Sequence, residues 1–207
     1  MRSERLTVFV VDDDASVRDS IALMLGLAGY RTSVFADAEA FQAAWKEDWA
    51  GCVVADVRLP GQSGVELQDA LKERGSALPF VIITAHGDVA TARAAFRSQA
   101  VDFLEKPFDN TQLYAAIETA FALEGRRIQQ HDSRREDARK LHRLTARERE
   151  VLGHATLGLH AKEIAAALGI SSRTVEVHKT RIMEKLDVRN VAELVRFAIT
   201  ATPPDDL

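Results

Sequence analysis

Short apolar runs at residues 6–11, 51–55, 80–83 and 101–104 punctuate the first 122 positions, and between them the apolar residues recur three and four apart. The runs have the length of strands buried on both faces, and the intervening spacing is that of amphipathic helices. The alternation therefore predicts a parallel α/β sheet covered by helices. A weaker run at 31–35 completes five βα units in a doubly wound arrangement, whose ligands sit beyond the carboxyl ends of the strands. In the last helix of this half, Leu113, Ala116, Ile117, Ala120 and Phe121 form one stripe, with Asp109 and Gln112 resembling a capping box at its start. Ser63 and Glu66 repeat that pattern.

The pattern changes at Glu124. Through Arg143 there are seven basic and four acidic residues, with Ile128 and Leu141 the only large apolar side chains. No apolar heptad continues, so residues 123–143 read as a linker or a solvated helix, and Gly125 weakens a helical continuation. Thr145 and Glu148 then form a capping box that opens a second, all-helical domain over 144–207. Its apolar positions are Val151, Leu152 and Ala155, then Ile164, Ala165 and Leu168, a turn at Gly169-Ile170-Ser171, and a stripe of Val175, Ile182 and Leu186. A final helix, capped by Asn190 with Glu193, aligns Val191, Leu194, Val195, Ala198 and Ile199, and the tail at 202–206 is expected to fray.

At 207 residues and 46% hydrophobic composition the chain can bury a core, as one large domain or two small ones. The net charge of −4 hides an asymmetry. Residues 1–122 carry 11 Lys and Arg against 18 Asp and Glu, whereas residues 123–207 carry 16 against 13. The acidic half suits a cation or a basic partner, and the mildly basic half suits phosphate backbones. The single cysteine, Cys52, lies in an apolar run and reads as a small buried side chain, which excludes a disulfide framework and fits a reducing interior. The charged start Met1-Arg2-Ser3-Glu4-Arg5 is no signal peptide and no stretch has the length of a membrane span, so a soluble, cytoplasmic protein without a membrane partner is expected.

The candidate chemistry sits at strand ends. Val8-Phe9-Val10-Val11 closes on Asp12 and Asp13, and Cys52-Val53-Val54-Ala55 closes on Asp56. Like charges held together repel, so three acids in one crevice point to a bound cation or to chemistry. Thr84 and Lys106 fall at the ends of two further strands, on the same side. Acids at strand ends are often helix caps, and Asp14 and Asp109 are read that way.

Asp12-Asp13, Asp56 within D-V-R-L-P-G-Q-S-G, Thr84-Ala85 and Lys106-Pro107 together resemble the receiver domain of bacterial two-component response regulators over residues 6–122, which makes 1–122 the receiver domain. The resemblance implies a flavodoxin-like (βα)5 fold in which Asp56 accepts a phosphoryl group. Asp12, Asp13, Asp56 and the backbone carbonyl of Arg58 would hold Mg2+ or Mn2+, and Thr84 and Lys106 would bind phosphoryl oxygens. A hard divalent cation and an ammonium are what neutralise charge on a transferred phosphoryl group. The resemblance also makes Thr84 and Phe103 a linked switch, altering the surface 88–104, where Val89, Ala92 and Phe96 suit dimerisation. Arg58 and His86, two residues beyond Asp56 and Thr84, are candidates for tuning phosphate lifetime.

L-T-A-R-E-R-E-V-L, K-E-I-A-A-A-L-G-I-S-S-R-T-V-E-V-H and K-L-D-V-R-N in the second domain resemble the helix-turn-helix of the LuxR/NarL/FixJ family, with S-R-T-V-E-V-H nearest its FixJ branch. The buried stripe leaves Arg173, Glu176, Val177, Thr180 and Arg181 facing outward as base-reading candidates. Lys162, Lys179 and Lys185 are expected to grip phosphates, and His178 to pack or contact phosphate. The combined resemblance implies a transcriptional regulator, an activator rather than an enzyme. A sensor histidine kinase would phosphorylate it, and it would dimerise, bind promoter DNA and engage RNA polymerase. Two rivals are a phosphorylation-independent DNA-binding regulator that uses the receiver as a dimer scaffold, and an aspartyl-phosphate hydrolase. The hydrolase lacks the second acid of a D-x-D motif, because Arg58 stands two residues after Asp56.

Overall fold

The computed structural model describes residues 6–85 and 89–201, with the side chains of 90, 91 and 199–201 outside the description. His86, the tail from 202 and the Ile199 side chain therefore lie outside the described residues.

Five strands form one parallel sheet in the order β2-β1-β3-β4-β5: β1 (Thr7–Val11), β2 (Arg31–Phe35), β3 (Gly51–Asp56), β4 (Phe80–Thr84) and β5 (Asp102–Glu105). They alternate with α1 (Ala15–Leu27), α2 (Ala38–Ala44), α3 (Gly64–Glu73), α4 (Val89–Arg97) and α5 (Asn110–His142). The register aligns Val11 with both Phe35 and Ala55, Asp56 with Ile83, and Thr84 with Glu105, so the ends of β1, β3, β4 and β5 come level. Every residue of β3 and β4 is buried, as central strands covered on both faces require. One core cluster takes alternate strand residues, Phe9, Val11, Val53, Ala55, Phe80 and Ile82, and closes over Phe41 of α2 and Leu67 and Leu71 of α3. Cys52 is buried and unbonded, and burial pushes its thiol pKa up.

The helix starts follow local side-chain chemistry. Ser63 and Glu66 form the expected capping box on α3, as do Thr145 and Glu148 on α6 (Ala146–Thr156). Asp14 accepts from the Ser16 backbone N–H at 2.8 Å and caps α1, and Asp109 accepts from Gln112 N–H at 2.8 Å at the start of α5. The segment expected as linker or solvated helix is the continuation of α5, which passes Gly125 unbroken. The cost of one helical glycine, about 1 kcal/mol, is spread over a long run of polar helix formers.

By packing, the chain divides into two compact units, 1–127 and 128–207. The second contains α6, α7 (Ala161–Leu168), α8 (Ser172–Leu186) and α9 (Val191–Ala201). Gly169 ends α7 in the left-handed conformation with φ of 64°, and Ser171 caps α8. Val151, Leu152, Ile164, Val175, Ile182, Leu186 and Leu194 form this unit's core. Among the described residues, no helix is long and apolar enough to cross a membrane.

Candidate functional site

The crevice beyond the carboxyl ends of β1, β3, β4 and β5 collects Asp12, Asp13, Asp56, Thr84 and Lys106. Asp12 and Thr84 are fully buried and Asp56 nearly so, whereas Asp13 is exposed. Carboxylate oxygens of Asp12, Asp13 and Asp56 lie within 4.8 Å of one another. The Lys106 ammonium donates to Asp12 Oδ2 and to Asp56 Oδ2, each at 2.6 Å. The backbone holds this cluster: Asp14 N–H donates to Asp12 Oδ1 and Arg58 N–H to Asp56 Oδ1, both at 3.0 Å. Lys106 N–H donates to Thr84 O at 2.7 Å, which ties the end of β4 to the lysine.

Three carboxylates face one ammonium. Burial raises the Asp12 carboxyl above its ordinary value, and the hydrogen bonds from Lys106 and Asp14 only partly oppose it. For Lys106, burial alone would lower the ammonium, but hydrogen bonds to Asp12 and Asp56 outweigh it and the pKa is raised. The site therefore holds excess negative charge. Three hard oxygen donors at this separation fit a divalent cation such as magnesium or calcium, and do not form the sulfur and nitrogen set of a zinc site.

Two supporting residues were not anticipated from the sequence. Arg18 on α1 donates through Nη1 to the Asp12 carbonyl at 2.6 Å. Gly64 begins α3 directly against Asp56, where any Cβ would strike the Asp56 carbonyl oxygen. A glycine at a helix start, where better helix formers are available, was the signal for a close backbone approach. Asp14, as expected, turns away into its cap. Arg58 is exposed, two residues past Asp56, and Phe103 pairs with Ile82 and packs partly buried against the sheet core. On α4, Val89 and Phe96 are 76% and 54% exposed, while Ala92 is half-buried.

In the second unit, Lys162, Arg173, Glu176, Val177, Thr180 and Arg181 are exposed, the last five along α8. Two lysines differ from expectation. Lys179 is buried and pairs with Glu176 at 3.3 Å, because its stem lies against the packed side of α8. Lys185 donates to the buried Glu148 of α6 at 2.6 Å. Neither ammonium stands free on the face as Lys162 does. The Thr180 hydroxyl donates to the Glu176 carbonyl at 3.0 Å, and His178 is half-buried with an unpartnered Nδ1.

Residues 8–118 match the family described as response regulator receiver domain, and residues 142–198 match bacterial regulatory proteins of the luxR family. The chain is 42% identical over 205 residues to the transcriptional regulatory protein FixJ of Azorhizobium caulinodans, covering 98% of this chain and 97% of that one. It is 40% identical to the transcriptional regulatory protein TdiR of Thauera aromatica, covering 93% and 85%. Among solved structures, the response regulator StyR superposes with a TM-score of 0.82 at 40% identity, covering 94% of this chain and 98% of that one.

Proposed function

Since the chain belongs to the two-component response regulators, joining a receiver to a LuxR-type DNA-binding domain, we propose that Asp56 is its phosphoryl acceptor. The observation that carries this is the Lys106 ammonium 2.6 Å from both Asp12 and Asp56. An Asp56 oxygen forms the new bond to phosphorus as the bond to the donor's histidine nitrogen breaks. Lys106, already beside Asp56, then meets the phosphoryl oxygens, and the Thr84 hydroxyl supplies a further donor at the same strand ends. Asp12, Asp13, Asp56 and the Arg58 carbonyl would hold magnesium or manganese, which supplies positive charge to the transferred group.

The receiver spans 1–122, residues 123–143 connect, and 144–207 bind DNA. Phosphorylation shifts the Thr84 and Phe103 pair and favours a homodimer through α4, whose Val89 and Phe96 are exposed. Arg173, Glu176, Val177, Thr180 and Arg181 face base edges and Lys162 faces phosphate, so the dimer reads a promoter as two half-sites and recruits RNA polymerase as an activator in the cytoplasm. Arg58, at the rim, tunes phosphate lifetime. Asp56→Asn tests the assignment: the wild-type chain takes up labelled phosphate from a phosphorylated sensor kinase, and the variant takes up none. Uptake by the variant equal to wild type would move the acceptor elsewhere.

A further inference from the structure

The buried stripe of α8 runs through Val175, Ile182 and Leu186, and position 179 falls on it, four residues after the first and three before the second. The residue there is a lysine. The other members of the stripe are apolar, whereas Lys179, 8% exposed, carries an ammonium into a register where a leucine would pack. A charge held at such a position costs free energy unless a partner answers it, so this lysine is more informative than the exposed arginines around it.

The partner is Glu176. Its carboxylate accepts from the Lys179 ammonium at 3.3 Å, and the two side chains differ in exposure, 62% for Glu176 against 10% for Lys179. A pair that served the core alone would bury both charges. Here the cation lies on the packed side and the carboxylate on the outer face of the helix. Arg173 stands three residues before Glu176, at the spacing of helix neighbours, yet among the described residues Arg173 has no ion pair. The glutamate is held from its inner side, by the cation whose packed stem has the less rotamer freedom. The Thr180 hydroxyl holds the Glu176 backbone carbonyl at 3.0 Å as well.

Resting on the reading of α8 as the base-facing helix, we propose that Lys179 is a positioning residue for Glu176, fixing its carboxylate as the acceptor for a cytosine N4 amino group in the major groove. A carboxylate that enters the groove is repelled by the phosphates on either side. The ammonium behind it offsets that repulsion and sets the side chain before DNA arrives, so that ordering entropy is lost in folding rather than in binding. Lys179 itself touches neither base nor phosphate, and preference at one base pair depends on it through Glu176 alone.

The full chain tests this. Sites that wild type enriches from randomised duplex DNA give its preferences, and affinities are read for the enriched site and for versions with each base pair exchanged. Lys179→Met keeps the stem and removes the ammonium. It is expected to cut the preference for cytosine at one position about tenfold, within the worth of one base contact, and to leave the other positions and the salt slope as they were. Lys179→Arg should keep that preference, Glu176→Ala should lose it, and Lys179→Met should add nothing in the Glu176→Ala background. A merely structural role would weaken every position together. Such a uniform loss would overturn the proposal, and a salt slope lower by about 0.9 would identify a phosphate contact instead. Unchanged cytosine preference in Lys179→Met, with loss in Glu176→Ala, would remove the positioning role alone. Preferences intact in Glu176→Ala would remove base reading by Glu176 and this inference with it.

Discussion

Asp12 shows how burial and charge divide the work at a single side chain. Its carboxyl is raised by burial, so the folded chain binds that proton more tightly than the unfolded chain does. Stability therefore falls as the pH climbs from 3.8 through the raised value, and the loss persists at neutral pH. Lys106 works in the other direction: its raised pKa lends stability that is complete below 10.5 and disappears only as the ammonium titrates above it. A divalent cation answers the Asp12 deficit directly. Millimolar magnesium should raise the melting temperature at pH 7 and leave it unmoved at pH 3, where the raised Asp12 carboxyl is protonated, as scanning calorimetry would read. Gly64 makes a steric prediction beside this electrostatic one. Gly64→Ala should cost about 1–3 kcal/mol in urea unfolding and slow phosphoryl uptake, since the Asp56 backbone must move to admit the methyl group.

At the level of elements, α8 separates lysines that look alike in sequence. Lys162, just upstream on α7, is exposed, so Lys162→Ala should reduce the salt slope of promoter binding by about 0.9 without altering stability. Lys185 holds the buried Glu148, which, despite burial, is drawn below its ordinary range by hydrogen bonds from Lys185 and Thr145. Such a depressed carboxyl gives stability above pH 4.5 that is lost as the pH falls through its folded value. Lys185→Met should cost about 2 kcal/mol, less than a fully buried pair because Lys185 is one-third exposed, and should leave the salt slope unchanged. The sequence distinguished what is local. Capping boxes at Ser63 and Thr145 and the strand runs that end in Asp12 and Asp56 depend on neighbours within a few residues, and all were legible. Lys185 meets Glu148 across 37 positions, and Gly64 meets Asp56 through a bend of the chain, so neither pairing leaves a periodic trace. The continuation of α5 through Gly125 takes the helical one of the two readings open to residues 123–143, because one residue's propensity is weak against the sum over its neighbours.

For the molecule as a whole, the division at 127 and 128 and the charge asymmetry describe two bodies with separate tasks. Fragments 1–127 and 128–207 should each give dispersed amide spectra and a cooperative melt, and a collapsed spectrum for either would show that its core needs the other. The resemblance to receivers and to LuxR-type domains could be read residue by residue because both sites are ordered strings of polar residues on regular elements. The two described core clusters have no residue in common, one drawing on 9–103 and the other on 141–198. In genetic terms, a recombination breakpoint at 127 and 128, past the buried α5 residues Leu113 to Phe121, interrupts neither packing unit. A crossover there can hand this DNA-binding domain to a different receiver, and so to a different stimulus, in one event that leaves both hydrophobic interiors as they were.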